Sequence, residues 1–310
     1  MEIFVLKRKL KTFYHTPRVL IKKIWNMFEP FVSDEFFLKV SSFISIGYWP
    51  NFKNPKTFND KIQWLKLNYR KKEYTKMVDK VAAKEYVAGI LGNKYIIPTL
   101  GVWNSIEEVD WKGLPNQFVI KATHDSGGVV ICKDKATFNV EEAISLLKGA
   151  GKKNYARFSK EYVYYDVPHR FLAEKFMLPS DASINDDLSD YKFYCFNGEP
   201  KYCQVIRDRN TKETIDFYDM EWNHMDFVGL NLVAKNGTKP VPCPKKLDEM
   251  IGVCRKLSKN IPFVRVDLYV IDGNVYFGEI TFYPASGLGL FTPAEWNLKL
   301  GELIKLPSKV

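Results

Sequence analysis

The strongest chemical signal in the chain is a pair of carboxylates. Arg265-Val266-Asp267 and Glu279-Ile280-Thr281 stand at matching distances on either side of Asp272-Gly273-Asn274, a strong hairpin signal. Alternation along a strand puts Arg265 and Asp267 on one face, and Glu279 and Thr281 on one face, so pairing across the hairpin can bring Asp267 close to Glu279. Two carboxylates that close repel each other. Their simplest justification is a bound cation, here oxygen-preferring magnesium bridging nucleotide phosphates. A surface pair alternating with core residues is the alternative, although the flanking Val264, Val266, Leu268, Tyr276, Phe277 and Ile280 are strongly apolar.

Two further pieces fit a nucleotide. Lys121 ends an apolar strand and precedes the loop His124-Asp125-Ser126-Gly127-Gly128, whose glycines let backbone N–H groups approach a phosphate that the lysine neutralises. The loop is neither a Walker loop nor a Gly-x-Gly-x-x-Gly turn, and a surface hairpin lysine is the plainer alternative. Leu172-Ala173-Glu174-Lys175-Phe176-Met177 is an apolar strand that ends in a carboxylate. Strand ends supply the backbone hydrogen bonds and apolar walls that an adenine needs, but an ordinary edge strand reads the same way.

The elements that must position these residues alternate strands and turns through the second half of the chain. Strands are expected over 117–122, 129–132, 170–176, 190–196 and 201–206, the last two turned by Asn197-Gly198, and over 263–271 and 275–282. Helices are expected over 79–91, closed by Gly92-Asn93, and over 138–147, with a short strand at Tyr95-Ile96-Ile97-Pro98. Residues 33–78 read as helical and polar, with Thr57 capping a run from Phe58. The first segment reads as a helix broken at Pro17. It carries seven basic residues against the single acid Glu2 in residues 1–23, out of a net charge of +10 for 310 residues. A basic helix with Trp and Phe on it can lie on an anionic membrane or dock on the protein body.

Composition fits a soluble globular protein, 46% apolar and 15% aromatic. No stretch approaches the roughly 18 apolar residues of a spanning helix, and no cleavage-type leader is evident, so a cytoplasmic location is expected. The five cysteines show no Cys-x-x-Cys pair and no zinc-type spacing to histidine, which predicts buried thiols.

The order of the pieces resembles the ATP-grasp superfamily: a lysine in an early helix, a strand lysine before a glycine loop, a strand-terminal Glu-Lys, then Arg-x-Asp with a distal Glu. Asp190-Tyr191-Lys192-Phe193-Tyr194-Cys195-Phe196-Asn197-Gly198 and Tyr276-Phe277-Gly278-Glu279-Ile280-Thr281-Phe282-Tyr283-Pro284 are similar to the TupA-like branch, named for teichuronopeptide biosynthesis and found in surface-polysaccharide pathways. The resemblance covers roughly residues 55–300. It implies an α+β fold of two lobes clasping ATP, with a helical N-terminal extension. The expected divisions are a basic segment 1–30, a helical region 31–78, a small lobe 79–165 and a C-terminal lobe 166–310.

Carried onto this chain, the resemblance makes Lys80 and Lys121 phosphate ligands, with Lys84 as a substitute for Lys80, and puts Ser126, Gly127 and Gly128 in a loop closing over ATP. It assigns adenine to Glu174, Lys175 and Phe176, ribose to Asp181, and magnesium to Asp267 and Glu279. Thr281 stands where many relatives have Asn, a better magnesium ligand. Arg265 would stabilise an acyl phosphate, and Lys192 would reach the nucleotide or the activated carboxylate or else stay solvated. The implied reaction is ATP-dependent joining of a carboxylate to an amine, with ATP and Mg2+ as cofactors. Basic residues outside these motifs, Arg157, His169, Arg170, Arg207 and Arg209, are candidates to hold the acceptor carboxylate. The implied partners are an amine or amino acid and an acidic saccharide, with nucleic acid not expected. A glycosyltransferase is a competing expectation, although Asp186-Asp187 and Asp208 do not end an apolar strand convincingly; a small-molecule kinase and a membrane-tethered scaffold are others.

Overall fold

A computed structural model describes residues 17–124, 128–151, 155–181, 188–207, 213–230 and 235–308. Among the described residues no helix is long and apolar enough to cross a membrane. The lysine-rich part of the first segment, Lys7 to Lys11, lies outside them.

Helix α1 is described over Pro17–Met27. Helix α2 (Asp34–Ile46) is capped by Ser33, which accepts from the Phe36 N–H, and ends on left-handed Gly47. Helix α3 (Phe58–Asn68) starts at the expected Thr57 cap, and α4 (Glu73–Val78) and α5 (Ala82–Leu91) follow. Helix α5 starts three residues later than expected, since Asp79 turns the chain and accepts from the Val81 N–H.

The expected strand at 95–98 is not formed. Asn93–Tyr95 is a 3-10 turn that sets the Tyr95 hydroxyl on Glu249 (2.9 Å), and Ile96 makes one bridge to Phe277. The first strand begins only after Pro98, which has no N–H to donate to a ladder.

Two sheets carry the site. In the smaller, β1 (Thr99–Trp103), β2 (Phe118–Ala122), β3 (Val129–Cys132) and β4 (Phe171–Lys175) take the order β1-β4-β2-β3. Helix α6 (Val140–Gly151) follows β3, and its buried Ala143 and Leu147 join a core with Phe118, Ile120 and Ala173; the short α7 (Tyr155–Ser159) comes next. Strand β4 therefore belongs to the small lobe, which corrects the division expected at residue 166.

The larger sheet has the order β11-β10-β5-β6-β7-β8. It is built from β5 (Asp190–Phe196), β6 (Glu199–Arg207), β7 (Thr214–Tyr218), β8 (His224–Met225), β10 (Phe263–Ile271) and β11 (Asn274–Thr281). Strands β9 (Val228–Gly229) and β12 (Phe291–Thr292) pair separately, and α8 (Leu247–Leu257) and α9 (Trp296–Leu303) cover the lobe. Phe58 of α3 packs edge-on against Phe263 (4.9 Å) and Phe291 (5.6 Å), so part of the expected N-terminal region shares the core of this lobe. Four cysteines are buried thiols; Cys243 is exposed, contrary to expectation.

Lys66 of α3 ties this lobe to the α7 end of the small lobe. It is fully buried and donates to Ser159 O (2.8 Å), Ser286 O (2.9 Å) and Ser286 Oγ (2.8 Å). Burial pulls its pKa down to about 8, against the attraction of Glu161. The unfolded chain thus binds the extra proton between about pH 8 and the ordinary lysine value, and stability should rise through that window. Thermal melts should show the wild type gaining on Lys66→Met between pH 8 and 10; parallel curves would place the titration elsewhere.

Candidate active site

The hairpin β10–β11 turns on Asp272 (φ 49°) and Gly273 (φ 73°), a two-residue left-handed turn that pairs Ile271 with Asn274. In an unbroken ladder from that turn, Gly278 would face Asp267 and Glu279 would face Val266. A bulge prevents this: Leu268 pairs with Phe277, and Asp267 pairs with Glu279. Gly278 is the extra residue, and a Cβ there would meet Tyr269 Cε2 at 2.9 Å and the Asp267 carbonyl at 3.0 Å. Gly278→Val should therefore lower the melting temperature by several degrees, through about 1–3 kcal/mol of overpacking, and weaken ATP turnover as well. Unchanged melting and turnover would show that the bulge tolerates a side chain.

Around the two carboxylates the charges are tightly arranged. Arg265 forks onto buried Asp267 (Nε–Oδ1 2.7 Å, Nη2–Oδ2 2.8 Å) and also donates to Glu279 Oε1 (2.6 Å) and Thr281 Oγ1 (3.1 Å). The Thr281 hydroxyl donates to Glu279 Oε1 (3.3 Å). Lys192, opposite Asp267 on the adjoining β5, donates to Asp267 Oδ2 and pairs with Asp190 Oδ2 at 2.6 Å. Burial pushes the Asp267 carboxyl up to about 6, Arg265 and Lys192 opposing and Asp190 and Glu279 adding to the rise. Glu279 is half open to solvent; partial desolvation at the cleft wall works to raise its carboxyl, but Arg265, Lys192 and Lys80 outweigh it and hold it down at about 2.

Across the cleft, Glu174 of β4 is buried between two lysines, Lys84 Nζ (2.5 Å) and Lys121 Nζ (2.5 Å). Burial raises its pKa, and the two lysines more than reverse that. Lys84 also donates to Ile97 O (2.6 Å), and Lys80 donates to Ala122 O (3.0 Å) at the root of the glycine loop. Both early lysines therefore stand in the cleft. The loop closes at its base, where the Ala122 N–H donates to Gly128 O (2.8 Å); Ser126 and Gly127 lie outside the described residues.

Lys80, Lys84, Lys121, Glu174, Arg265, Glu279 and Thr281 line one cleft of about 380 Å³, with apolar walls including Ile97, Leu172, Phe277 and Ile280. Three lysines stand around Glu174 on the lysine side, and Glu161 lines the cleft as well. Asp190, Asp267 and Glu279 face two cations on the hairpin side. The first arrangement suits polyphosphate. The second keeps one net negative charge, as an oxygen-preferring cation needs, although both Asp267 oxygens and Glu279 Oε1 are taken by Arg265, Lys192 and Thr281, and among the described residues no group of three or more His, Cys, Asp or Glu is placed to hold a metal.

Lys175 and Phe176 follow Glu174 at the strand end, the Lys175 N–H donating to Pro98 O (2.9 Å). Asp181 is exposed beside Ser180, whose N–H donates to Asp272 Oδ1 (2.8 Å), so its segment touches the hairpin turn.

The arginines expected at an acceptor are not brought to the cleft. Arg157 pairs with Glu29 (2.5 Å) and Arg207 with Asp216 (2.9 Å), neither among the lining residues; Arg170 holds Asp79 (2.5 Å) at the entry to α5; Arg209 lies outside the described residues. His169 stacks on His124 (3.7 Å), which does line the cleft. Sequence reasoning passed over Asp190, although its two-residue spacing from Lys192 puts both on one face of β5. It also passed over Glu161 and Tyr164, cleft residues that sit in no recognisable motif, and gave no role to Tyr283 near the end of the β11 motif.

Two α+β lobes whose cleft gathers Lys121 and Glu174 from the smaller sheet, Lys80 and Lys84 from around the start of α5 on the core of the larger, and the carboxylate hairpin of the larger sheet form an ATP-grasp fold. The family model of TupA-like ATP-grasp proteins matches residues 60–305, and the chain belongs to that family. Among solved structures it is similar to D-alanine–D-alanine ligase from Bacillus anthracis complexed with ATP (16% identity, TM-score 0.38, 74% of this chain and 68% of that one). It is also similar to the Helicobacter pylori D-alanine–D-alanine ligase (15%, TM-score 0.44, 82% and 68%). A third is the ADP complex of N5-carboxyaminoimidazole ribonucleotide synthetase (13%, TM-score 0.39, 72% and 50%). No match was found among curated proteins.

Proposed function

We propose that the protein is an ATP-dependent carboxylate–amine ligase that joins an amino acid or amine to a uronic-acid carboxylate of a surface polysaccharide. The observation that carries this reading is one cleft in which three lysines oppose Arg265 and Glu279, with Asp267 buried behind Arg265 and paired in register with Glu279. A substrate carboxylate oxygen attacks the γ-phosphorus of ATP, the bond to the β-phosphate oxygen breaks, and ADP leaves. The amine nitrogen then attacks the acyl carbon, phosphate departs, and an amide remains once the nitrogen loses its proton. No protein nucleophile is required; the catalytic demand is charge neutralisation and orientation.

In this reading Lys80, Lys84 and Lys121 neutralise the phosphates, and Glu174 keeps Lys84 and Lys121 in place before ATP arrives. Asp267 and Glu279, with Thr281 beside them, would hold magnesium, which would supply Lewis-acid stabilisation of the phosphoryl oxygens. Lys192 positions Asp267, and Arg265 faces the developing negative charge. Adenine falls to the strand end Glu174–Phe176 and ribose to Asp181. Membership of the TupA-like family supports the polysaccharide context, and the net charge of +10 suits an acidic polymer.

The test is ADP release with ATP, magnesium, uronic acids and amino acids. Release that requires both acceptors is expected. ADP from one acceptor with a stable phosphorylated product would make the protein a kinase, and sugar transfer without ATP would make it a glycosyltransferase.

A further inference from the structure

Far from any role in ATP chemistry, residues 20–49 form an apolar surface. Leu20, Ile24, Met27 and Phe28 follow the spacing of a single helical face, and that face of α1 points outwards, with Leu20 62% and Met27 72% exposed. Phe31, just beyond, is 81% exposed. Helix α2 and its exit add exposed Phe36, Phe43 and Trp49. The rings form one connected strip: Phe28 to Trp25 (6.0 Å), Trp25 to Phe36 (6.0 Å), Phe36 to Trp49 (6.3 Å) and Trp49 to Phe43 (6.3 Å). Trp25 anchors it by stacking on buried Phe37 (5.5 Å) and donating to Ser41 Oγ (3.1 Å).

The charge around the strip is one-sided. Each acid of residues 17–56 is matched by a cation: Glu29 by Lys160 and Arg157, Asp34 by Lys160 (2.8 Å) and Arg70 (3.3 Å), and Glu35 by Lys39 (2.6 Å). Against them stand exposed Lys23, Lys53 and Lys56, while Lys22 turns inward to Ser45 Oγ (3.4 Å).

We propose that this face docks the protein on an anionic lipid surface, the Phe and Trp rings entering the headgroup boundary and the flanking lysines meeting acidic headgroups. Exposed aromatics in a segment that also exposes Lys23, Lys53 and Lys56 match the chemistry of that interface, and no described helix is long enough to pass through it. A second copy is the poorer occupant, because a two-fold contact through this face sets its basic residues against themselves. The docking surface also has an orientation. Glu29 and Asp34, at the edge of the strip, are bolted to Lys160, and the next residue, Glu161, lines the ATP cleft. A bound molecule therefore holds its cleft at a fixed attitude to the lipid.

The experiment is sedimentation of the full chain with phosphatidylglycerol/phosphatidylcholine vesicles and with phosphatidylcholine alone. The wild type should bind the anionic vesicles, more weakly at high salt. Phe31→Asp combined with Phe43→Asp should lower vesicle affinity at least about tenfold, since each change withdraws an aromatic side chain from lipid. The melting temperature should stay within a few degrees, both side chains being exposed. No vesicle binding by the wild type, or equal binding by the double variant, overturns the proposal. So does a wild-type dimer in sedimentation velocity that the double variant abolishes without any vesicle binding, which would assign the face to a second copy.

Discussion

Glu279→Gln should leave the protein folded and all but abolish ATP turnover. The carboxylate sits on the cleft side of β11, half of its side chain open to solvent, and its contacts are Arg265 and Thr281 on the same oxygen. Replacing it with an amide of the same shape keeps an acceptor for Arg265 but removes the charge that balances the hairpin side of the cleft. Loss of one such electrostatic contributor lowers kcat by roughly 10²–10³. Asp267→Asn should be as inactive but less stable. Asp267 is buried under Arg265 and Lys192, which keep Glu279 and Asp190 as partners, so the cost should stay below the roughly 3–5 kcal/mol of a buried pair broken outright. Steady-state ADP release with thermal melts separates the two effects. Normal turnover in both variants would remove the hairpin from the metal site.

Lys121→Met should strike at ATP binding. Lys121 reaches Glu174 from the end of β2, next to the root of the glycine loop, and is one of the three lysines around Glu174. With it gone, Lys84 and Glu174 neutralise each other and Lys80 alone faces the phosphates. A charge-assisted contact to phosphate of about 3 kcal/mol corresponds to a KM for ATP about 100-fold higher. Methionine keeps the length and apolar stem of the side chain, so β2 should remain in register. An unaltered KM for ATP would show that the phosphates lie elsewhere.

The hairpin was legible because its signals are local: Asp-Gly sets the turn, and apolar alternation sets the faces. The alignment of Asp267 with Glu279 was expected for an incomplete reason. Residues 272–274 looked like a three-residue turn with the carboxylates equidistant from it, whereas the turn has two residues and the bulge at Gly278 restores the match. A bulge depends on what packs around it, here Tyr269 and the Asp267 carbonyl, and one sequence does not display that. The lysine cluster was legible in kind but not in partner: Lys84 was placed second to Lys80, yet both reach the cleft, and Glu174 appeared as an adenine residue without its two lysines.

The acceptor arginines show the limit of charge reading. Arg157, Arg170 and Arg207 each find an acid distant in sequence or across a strand pair, namely Glu29, Asp79 and Asp216, and residue type says nothing of such pairing. The same holds for the small-lobe boundary: β4 lies after a helix and a long connection, yet hydrogen bonds to β1 and β2 place it in their sheet. Long-range pairing, not propensity, decided both.

The most direct test of carboxylate activation follows oxygen. With a uronic acid labelled with oxygen-18 in its carboxylate, plus an amine, ATP and magnesium, the proposed reaction transfers one labelled oxygen to the phosphate released with ADP. Singly labelled phosphate, formed in step with ADP and lost in Glu279→Gln, is the result expected. ADP accompanied by unlabelled phosphate would contradict an acyl phosphate and, with it, the assignment of this cleft to carboxylate–amine ligation.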